Sequence, residues 1–342
     1  MIEKIESVKN QLKNKKVAIA FSGGADSTLI SYLAKEVTKD LLAITINNNL
    51  MPSNFLNESM KIANELDIKQ IIIKEDFYKF DEFLENKSNR CYLCREKMYE
   101  KIIEVAKSNN FTTIIDGTNI SDLLMDRPGI LINYKNNIIS PFVNASLESY
   151  EIHKYLDKNN INYLKASTCI ATRFQDPINK NLINKIKSAE DFIKSNTNCE
   201  IIKVRQNKED VCICEVDSID SFLGQDNRIK IVDYLKSLDF KKVYLNLTLL
   251  QDNEKITLEN ISKNNFSFKH QLPYKINIED TFNLINKFKK SLKNKNKIIT
   301  RNITIFENGK IIGKDFKNEK DAKKEFINIL PFLRRKIWKL FF

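Results

Sequence analysis

The chain has 342 residues, of which 42% are hydrophobic and 29% are charged, with a formal net charge of +12. This balance is typical of a folded globular protein with two or three domains, and it excludes a disordered chain. Because no apolar stretch is long enough to span a membrane and the charged first 16 residues lack the apolar centre of a signal peptide, we expect a cytoplasmic protein with reduced cysteines and no membrane partner.

Between residues 15 and 162, short apolar runs alternate with stretches whose apolar residues recur at helical spacing. The runs predict strands and the stretches predict helices. The predicted strands are 17–21, 41–46, 70–73, 113–116 and 138–140, and the predicted helices are 27–37, 54–66, 95–108 and 150–158. This order is typical of βαβ units, so we expect an α/β fold with a Rossmann-like parallel sheet covered by helices on both faces.

The loop between the first predicted strand and the first predicted helix has the sequence Ser22-Gly23-Gly24-Ala25-Asp26-Ser27. Glycines let a backbone approach a ligand closely, and the N-terminus of a helix attracts phosphate. The serine hydroxyls add hydrogen-bond donors, and Asp26 suits a magnesium ion or the loop backbone. An ordinary turn is the alternative, but the S-G-G-x-D-S pattern resembles the loop of the ATP pyrophosphatases (PP-loop enzymes), which adenylylate a substrate and release pyrophosphate.

A second polar turn, Asp116-Gly117-Thr118-Asn119, closes the predicted strand at 113–116. Because ligands bind beyond the carboxyl ends of parallel strands, this turn is expected to face the loop at 22–27. Asp122 and Arg127 follow closely, the latter within Asp126-Arg127-Pro128-Gly129. Taken alone, the stretch fits a well-made turn equally well. Together with the loop, it predicts one wall of a nucleotide site.

Cys91 and Cys94 form a C-x-x-C motif, and Cys169 stands alone in the stretch 166–173. Three thiolates suit an iron–sulfur cluster with one open iron, whereas a structural zinc site needs a fourth ligand. Cys212 and Cys214 lie two apart on a predicted strand, so they share one face, and we expect both to be small buried hydrophobic residues.

Beyond residue 175 the pattern changes twice. Residues 176–248 predict a small α+β domain, with helices at 182–193 and 226–235 and strands at 201–205, 211–216 and 242–247. In the C-terminal α+β extension, 249–342, the segment 250–300 is polar and rich in Asn and Lys. A hairpin then pairs 303–306 with 311–314 through a type I′ turn at Asn308-Gly309, and a helix follows at 319–329. The nucleotide-binding domain is therefore predicted at 1–175.

Several of these stretches, taken in order, resemble the LarE family over about residues 5–247. The matching stretches are FSGGADST, RCYLCREKMY, IIDGTNISDL, DRPG, SPF, ASTCIATRF, KVRQ and the strand ending in Cys214-Glu215-Val216. The family comprises pyridinium-3,5-bisthiocarboxylic acid mononucleotide synthases, ATP-dependent sulfur transferases that help to build the nickel-pincer nucleotide cofactor. One departure is Leu147-Glu148-Ser149, which stands where Leu-Thr-Lys is usual.

The resemblance implies a two-step reaction. ATP and Mg²⁺ adenylylate a carboxylate of pyridinium-3,5-biscarboxylic acid mononucleotide, and sulfur from a donor then replaces the adenylate. The pyrophosphate would be held by Ser22, Gly23, Gly24, Asp26 and Ser27, and the nucleotide site would be lined by Asp116, Gly117, Thr118, Asn119 and Arg127. Arg205 would bind substrate phosphate, and Glu190 and Glu215 would bind magnesium.

The resemblance also places this chain in the group of family members with three cysteines. Cys91, Cys94 and Cys169 would hold a [4Fe-4S] cluster whose open iron carries sulfide, with Cys169 at the position of the family's active cysteine. A homo-oligomer is implied as well. On residue chemistry alone, a single arginine such as Arg205 can clamp a phosphate, but isolated carboxylates are more often solvated than metal-bound.

Three alternatives stay open. An iron–sulfur-dependent tRNA thiolase of the PP-loop superfamily joins the same loop to three cysteines and explains the basic charge, although Lys, Asn and Ile are abundant throughout the chain. An amide-forming ligase, such as an NAD or GMP synthetase, does not need the cysteines, and a non-enzymatic carrier does not need an intact loop. The extension adds either an RNA- or protein-binding face or a solvated surface, at Lys289, Lys290, Lys293, Arg334 and Arg335.

Overall fold

The computed structural model describes residues 1–165, 168–207, 209–250, 255–262 and 265–336. Ala166 and Ser167, which open the stretch around the third predicted cysteine ligand, lie outside these residues. Three sheets organise the described chain: a parallel sheet near the N-terminus, a small mixed sheet in the middle and an antiparallel sheet near the C-terminus.

The N-terminal sheet has four parallel strands in the order β3-β2-β1-β4. Its elements in chain order are α1 (Ile2–Leu12), β1 (Lys16–Ala20), α2 (Ala25–Val37), β2 (Asp40–Asn47), α3 (Phe55–Glu65), β3 (Lys69–Lys74), α4 (Asp81–Leu84), α5 (Arg90–Ser108), β4 (Thr113–Ile115), α6 (Leu131–Lys135), α7 (Pro141–Asn144) and α8 (Ser149–Lys158). Successive β1 residues Val17, Ala18 and Ile19 are all fully buried, so helices cover both faces. The predicted Rossmann-like fold is confirmed.

Two N-terminal predictions need correction. The strand expected at 138–140 is a single parallel bridge between Ile139 and Ile115, because Pro141 opens α7 immediately afterwards. Helix α5 begins at Arg90 rather than at residue 95. The C-x-x-C motif therefore lies in the first turns of a 19-residue helix and not in the loop before it.

The middle region has a three-stranded sheet, β5-β6-β7, in which β6 runs antiparallel to β5 and parallel to β7. Its elements are α9 (Lys180–Asn196), β5 (Ile202–Gln206), β6 (Val211–Val216), α10 (Asp220–Leu223), α11 (Gln225–Ser237) and β7 (Lys242–Leu245). The Sγ atoms of Cys212 and Cys214 lie 3.6 Å apart on one buried face of β6, as predicted. The apolar core here also reaches Phe83 of α4 and the half-buried Cys94 and Cys169.

The C-terminal region has a five-stranded antiparallel sheet in the order β8-β12-β11-β10-β9. Its elements are β8 (Phe266–Gln271), α12 (Ile278–Ile285), β9 (Leu292–Asn294), β10 (Lys297–Ile299), β11 (Ile303–Phe306), β12 (Lys310–Phe316) and α13 (Glu319–Ile329). Among its described residues, the polar segment 250–300 thus contains four elements for which no strand or helix was predicted. Lys and Asn on the solvent side of these short elements conceal their apolar alternation.

The β11–β12 hairpin forms as predicted, but its turn is not type I′. A type I′ turn needs positive φ at both central residues, and here Gly309 has a φ of 87° while Asn308 does not have positive φ. The Gly309 N–H donates to the Phe306 carbonyl at 3.0 Å, which makes a three-residue loop with glycine in the left-handed position. The boundaries proposed after residues 175 and 248 stay predictions. Within the described residues, none of the helices is both long and apolar enough to cross a bilayer.

Candidate nucleotide and thiol site

The glycine-rich loop closes on itself between β1 and α2. The Ser22 N–H donates to the Ser27 hydroxyl at 3.2 Å, and that hydroxyl donates to the Gly24 carbonyl at 3.1 Å. The N-cap residue of α2 is Gly24, which has no side chain to cap the helix. The first N–H groups of α2 therefore point toward the loop without a capping side chain, as a phosphate-binding helix N-terminus requires.

Two glycines allow the loop and the second polar turn to approach each other. Gly23 has a φ of 75°, and a Cβ there would lie 3.0 Å from the Ser59 Cα. A Cβ on Gly117 would lie 2.7 Å from the Asp26 Cβ and 3.0 Å from the Ser27 nitrogen. The expected meeting of the turn at 116–119 with the loop at 22–27 is therefore confirmed, and it depends on glycine.

Asn119 joins the carboxylates of the two segments. Its Nδ2 donates to Asp26 Oδ1 at 3.0 Å, and its backbone N–H donates to Asp122 Oδ2 at 3.0 Å. Asp122 also pairs with the Arg127 guanidinium at 2.6 Å. Removal from water, together with the charge of Asp122, raises the pKa of Asp26 to about 8. Carboxylate oxygens, the ligands that a divalent cation prefers, thus lie where the loop meets the turn.

Asp116 is the centre of a buried hydrogen-bond network. It accepts hydrogen bonds from Thr118 Oγ1 at 2.6 Å, from Asn133 Nδ2 at 2.8 Å and from Ser140 Oγ at 2.8 Å, and it forms an ion pair with Arg95. Burial alone raises its pKa, but the Arg95 charge and these donors hold the pKa below the usual value. Asp116 is therefore an ionised, fully partnered residue that fixes the shape of the wall.

Arg95 is a site residue that the sequence reasoning missed. It lies one turn after Cys91 on α5, and Gly129 packs against it: a Cβ on Gly129 would lie 2.7 Å from the Arg95 Cδ. The available signal was helical spacing, because an α5 that begins at Arg90 places Arg95 and Cys91 on one face.

One cavity of about 420 Å³ joins the loop to the cysteines, a volume in the range of small-molecule sites. Cys91, Cys94 and Cys169 line it together with most of the predicted nucleotide residues: Ser22, Asp26, Ser27, Asp116, Gly117, Thr118, Asp122 and Arg127. Arg90 links the two cysteine segments, since it donates to the Cys91 Sγ at 3.1 Å and to the Ala171 carbonyl at 2.7 Å. Residues 78 positions apart in sequence therefore share one cavity.

The thiols of Cys94 and Cys169 are protonated in this environment. Burial and the neighbouring cysteines raise the pKa of Cys94, and burial raises the pKa of Cys169. Such thiols become thiolates when a metal ion replaces the proton. Within the described part of the chain, no three potential metal ligands are grouped closely enough to form a closed metal site.

Glu190, Arg205 and Glu215 do not line the cavity that contains the loop. Glu190 is buried, accepts from Arg173 Nε at 2.8 Å and from the Val204 N–H at 3.0 Å, and faces a separate cavity. Arg205 pairs with Glu215 at 2.8 Å and donates to the Thr172 carbonyl at 2.9 Å. Both carboxylates already have cationic partners, so the geometry favours structural roles for them over magnesium binding.

A glycine-rich loop that leads from β1 into α2 at the carboxyl edge of a parallel sheet defines a PP-loop nucleotide-binding domain, and residues 1–125 match the family model for that domain. Proteins of this class use ATP. More specifically, the chain belongs to the same family as the uncharacterized protein MJ0830 of Methanocaldococcus jannaschii: the two are 31% identical over 253 residues, which is 73% of this chain and 96% of that protein.

Two further relatives have named activities. The pyridinium-3,5-bisthiocarboxylic acid mononucleotide synthase of Lactiplantibacillus plantarum is 24% identical over 240 residues, covering 68% of this chain and 86% of that enzyme. The tRNA(Ile)-lysidine synthase of Rickettsia bellii is 25% identical over 214 residues, covering 56% of this chain and 47% of that enzyme. These similarities place the chain among ATP-using PP-loop proteins. They do not identify its substrate, because the two relatives have different named activities.

Proposed function

We propose that this protein is an ATP-dependent sulfur transferase of the LarE type, acting on pyridinium-3,5-biscarboxylic acid mononucleotide. The observation that carries the proposal is the shared cavity, in which three thiols from two distant segments face the ATP loop. A ligase that forms amides has no use for these thiols. The similarity to the Lactiplantibacillus plantarum synthase supports the same substrate class.

The reaction has two steps. A carboxylate oxygen of the substrate bonds to the α-phosphorus of ATP while the bond to the pyrophosphate oxygen breaks. Sulfur at the oxidation level of sulfide then bonds to the activated carbonyl carbon, and AMP leaves with the electron pair of the broken C–O bond. The free N–H groups of α2 and the hydroxyls of Ser22 and Ser27 would bind the departing pyrophosphate.

Magnesium fits the carboxylates beside the loop. Asp26 and Asp122 line the cavity, and burial together with the charge of Asp122 raises the pKa of Asp26. These two residues, rather than Glu190 and Glu215, would hold Mg²⁺ in our proposal. A bound Mg²⁺ neutralises charge on the triphosphate and on the pyrophosphate that leaves.

The three thiols suit a soft metal centre by their chemistry, and the Cys94 sulfur lies 3.6 Å from the sulfur of Met98. Cys91, Cys94 and Cys169 would hold a [4Fe-4S] cluster. When bound, a cluster with an open iron keeps sulfide beside the adenylylated substrate. The residues themselves line a cavity next to the loop, where Arg90 contacts both cysteine segments.

Arg205 is our candidate for the substrate phosphate. Its side chain is 39% exposed. It donates a hydrogen bond to the carbonyl of Thr172, which follows Cys169 by three residues in sequence. A phosphate that displaces Glu215 from Arg205 would bring the substrate next to the thiols. An external sulfur donor and a homo-oligomer belong to the same proposal and stay predictions.

A tRNA substrate is the second candidate, and the distribution of charge favours it. Residues 249–342 contain 21 Lys and Arg against 10 Asp and Glu, whereas residues 1–248 contain 35 against 34. A bias toward Lys and Asn shared by the whole chain does not explain this difference. However, Lys289 and Lys293 pair with Glu325 and Glu279, and Arg334 lies 3.6 Å from the ring of Tyr134, so little of the predicted basic face is free to bind RNA.

Anaerobic turnover with ATP decides between the candidates. The protein is incubated with the biscarboxylic mononucleotide or with bulk tRNA, and mass spectrometry follows adenylylated and thiolated products. We expect thiolation of the mononucleotide, and thiolation of tRNA alone would refute the LarE-type proposal.

The cluster has its own test. We expect iron–sulfur absorbance in anaerobically purified protein, its loss in Cys91→Ala, Cys94→Ala and Cys169→Ala, and its retention in Cys199→Ala, which removes a buried cysteine elsewhere. Full absorbance in all four variants would exclude this cluster site.

A further inference from the structure

The C-terminal region contacts the wall of the nucleotide cavity directly. Arg335 forms an ion pair with Asp126, which itself lines that cavity. The Tyr274 hydroxyl donates to the Leu123 carbonyl at 2.5 Å, within the short helical turn that follows Asn119. The side chain of Arg335 is 15% exposed whereas that of Asp126 is 51% exposed, so the interaction joins an arginine at the boundary of the two regions to the rim of the cavity.

The segment that Arg335 holds is buried at Gly129 and Ile130 and exposed at Asp126 and Arg127. The Arg127 side chain is 57% exposed and pairs with Asp122. Its backbone makes two local hydrogen bonds, from the Arg127 N–H to Met125 and from the Ile130 N–H to Arg127. The direction of the Arg127 side chain therefore follows from its pair with Asp122 and from the position of the backbone at 126–127.

Apolar packing makes that anchor rigid. Ile120, Leu123 and Ile130 of the cavity wall belong to the same buried cluster as Ile276 and Leu330 of the C-terminal region. A second attachment lies farther away, where buried Glu148, the N-cap residue of α8, pairs with Lys323 at 2.7 Å and accepts the Ile256 N–H at 3.1 Å. Because both attachments are buried, the C-terminal region is fixed relative to the cavity wall.

We propose that the C-terminal region completes the nucleotide site, and that Arg335 is a positioning residue which, through Asp126, directs Arg127 toward the phosphates of ATP. The inference rests on ATP use by the loop but not on the sulfur-transfer step. The match to the PP-loop family model covers residues 1–125, so neither Asp126 nor Arg335 lies within the matched residues.

The test measures nucleotide binding to the full-length protein, without the sulfur-accepting substrate. Isothermal titration compares Mg·ATP with adenosine for the wild type, R335Q, R335K, D126N and the double variant D126N/R335Q. The control is K336Q, at the adjacent residue, whose partner Glu307 lies in the C-terminal region itself. A thermal melt of each variant verifies that it is folded.

We expect R335Q and D126N each to weaken Mg·ATP binding on the order of tenfold, with the double variant no weaker than the single ones, because both break one linkage. The affinity for adenosine should be unchanged in all variants, and K336Q should bind Mg·ATP like the wild type. R335K should recover part of the Mg·ATP affinity that R335Q loses. Wild-type Mg·ATP affinity in R335Q, additive losses in the double variant, or an equal loss for adenosine would each overturn the proposal. If wild-type protein binds Mg·ATP but never transfers sulfur, the proposed substrate is wrong while this inference stands.

Discussion

Binding of Mg·ATP should depend on pH through Asp26. Its pKa of about 8 means that about one molecule in ten carries the carboxylate at pH 7 in the ligand-free protein. A divalent cation requires the charged form, so each pH unit below 8 costs about 1.4 kcal/mol, or a factor of ten in affinity. The affinity should therefore rise about tenfold per unit between pH 6 and pH 8 and level off above that.

The same shift has the opposite effect on folding. The folded protein retains a proton that the unfolded chain releases near its usual pKa of 3.8. Because the folded state binds more protons between about pH 4 and pH 8, this group lowers the free energy of unfolding as the pH rises through that range. Asp26→Asn should remove this contribution to the pH dependence.

Isothermal titration at pH 6, 7, 8 and 9, in two buffers of different ionisation enthalpy, measures both the affinity and the number of protons released. We expect close to one proton released at pH 6 and almost none at pH 9. Asp26→Asn should bind weakly at every pH and release no proton, whereas the control Asp40→Asn, at a half-exposed carboxylate paired with Lys16, should behave like the wild type. An affinity that is constant from pH 6 to pH 9, or a pH slope that survives in Asp26→Asn, would refute this reasoning.

Two further variants test particular contacts. Arg173→Met leaves the buried Glu190 carboxylate without its cation and should lower the free energy of unfolding by about 3–5 kcal/mol in urea titrations; a loss below 1 kcal/mol would contradict the structural role of this pair. Gly117→Ala places a Cβ 2.7 Å from the Asp26 Cβ and should abolish ATP binding, whereas Gly224→Ala, with its nearest contact at 4.0 Å, should bind ATP normally.

The N-terminal half of the fold was predictable because its signals are local and strong. Continuous apolar runs such as Val17 to Ile19 identify a strand buried on both faces, and the glycine-rich loop between strand and helix identifies the phosphate-binding edge. The start of α5 was missed because Leu93 is the one buried residue among its first five, so no apolar repeat marks the first turn. The elements of the C-terminal sheet were missed because Lys and Asn residues interrupt their apolar alternation.

Ion pairs between residues far apart in the chain could not be predicted from the sequence. Glu190 looked like a metal ligand by resemblance, yet its partner Arg173 lies 17 positions away and appears only when α9 packs against the short helical turn at Ile170–Thr172. Glu148, where the sequence departs from the resemblance, binds Lys323 of the C-terminal region. No pattern of spacing predicts such pairs, because they depend on how separate elements are packed.

The sequence by itself determined the class of this protein, since the loop at 22–27 and its flanking elements are contiguous and their chemistry follows from local conformation. It also selected the cysteines and the second polar turn as candidates. Only the tertiary structure decided that Cys169 reaches the cavity of Cys91 and Cys94, that Arg95 holds Asp116, and that the C-terminal region supports the nucleotide wall. Those relations join segments far apart in sequence, and they exist only because apolar burial brings the segments together.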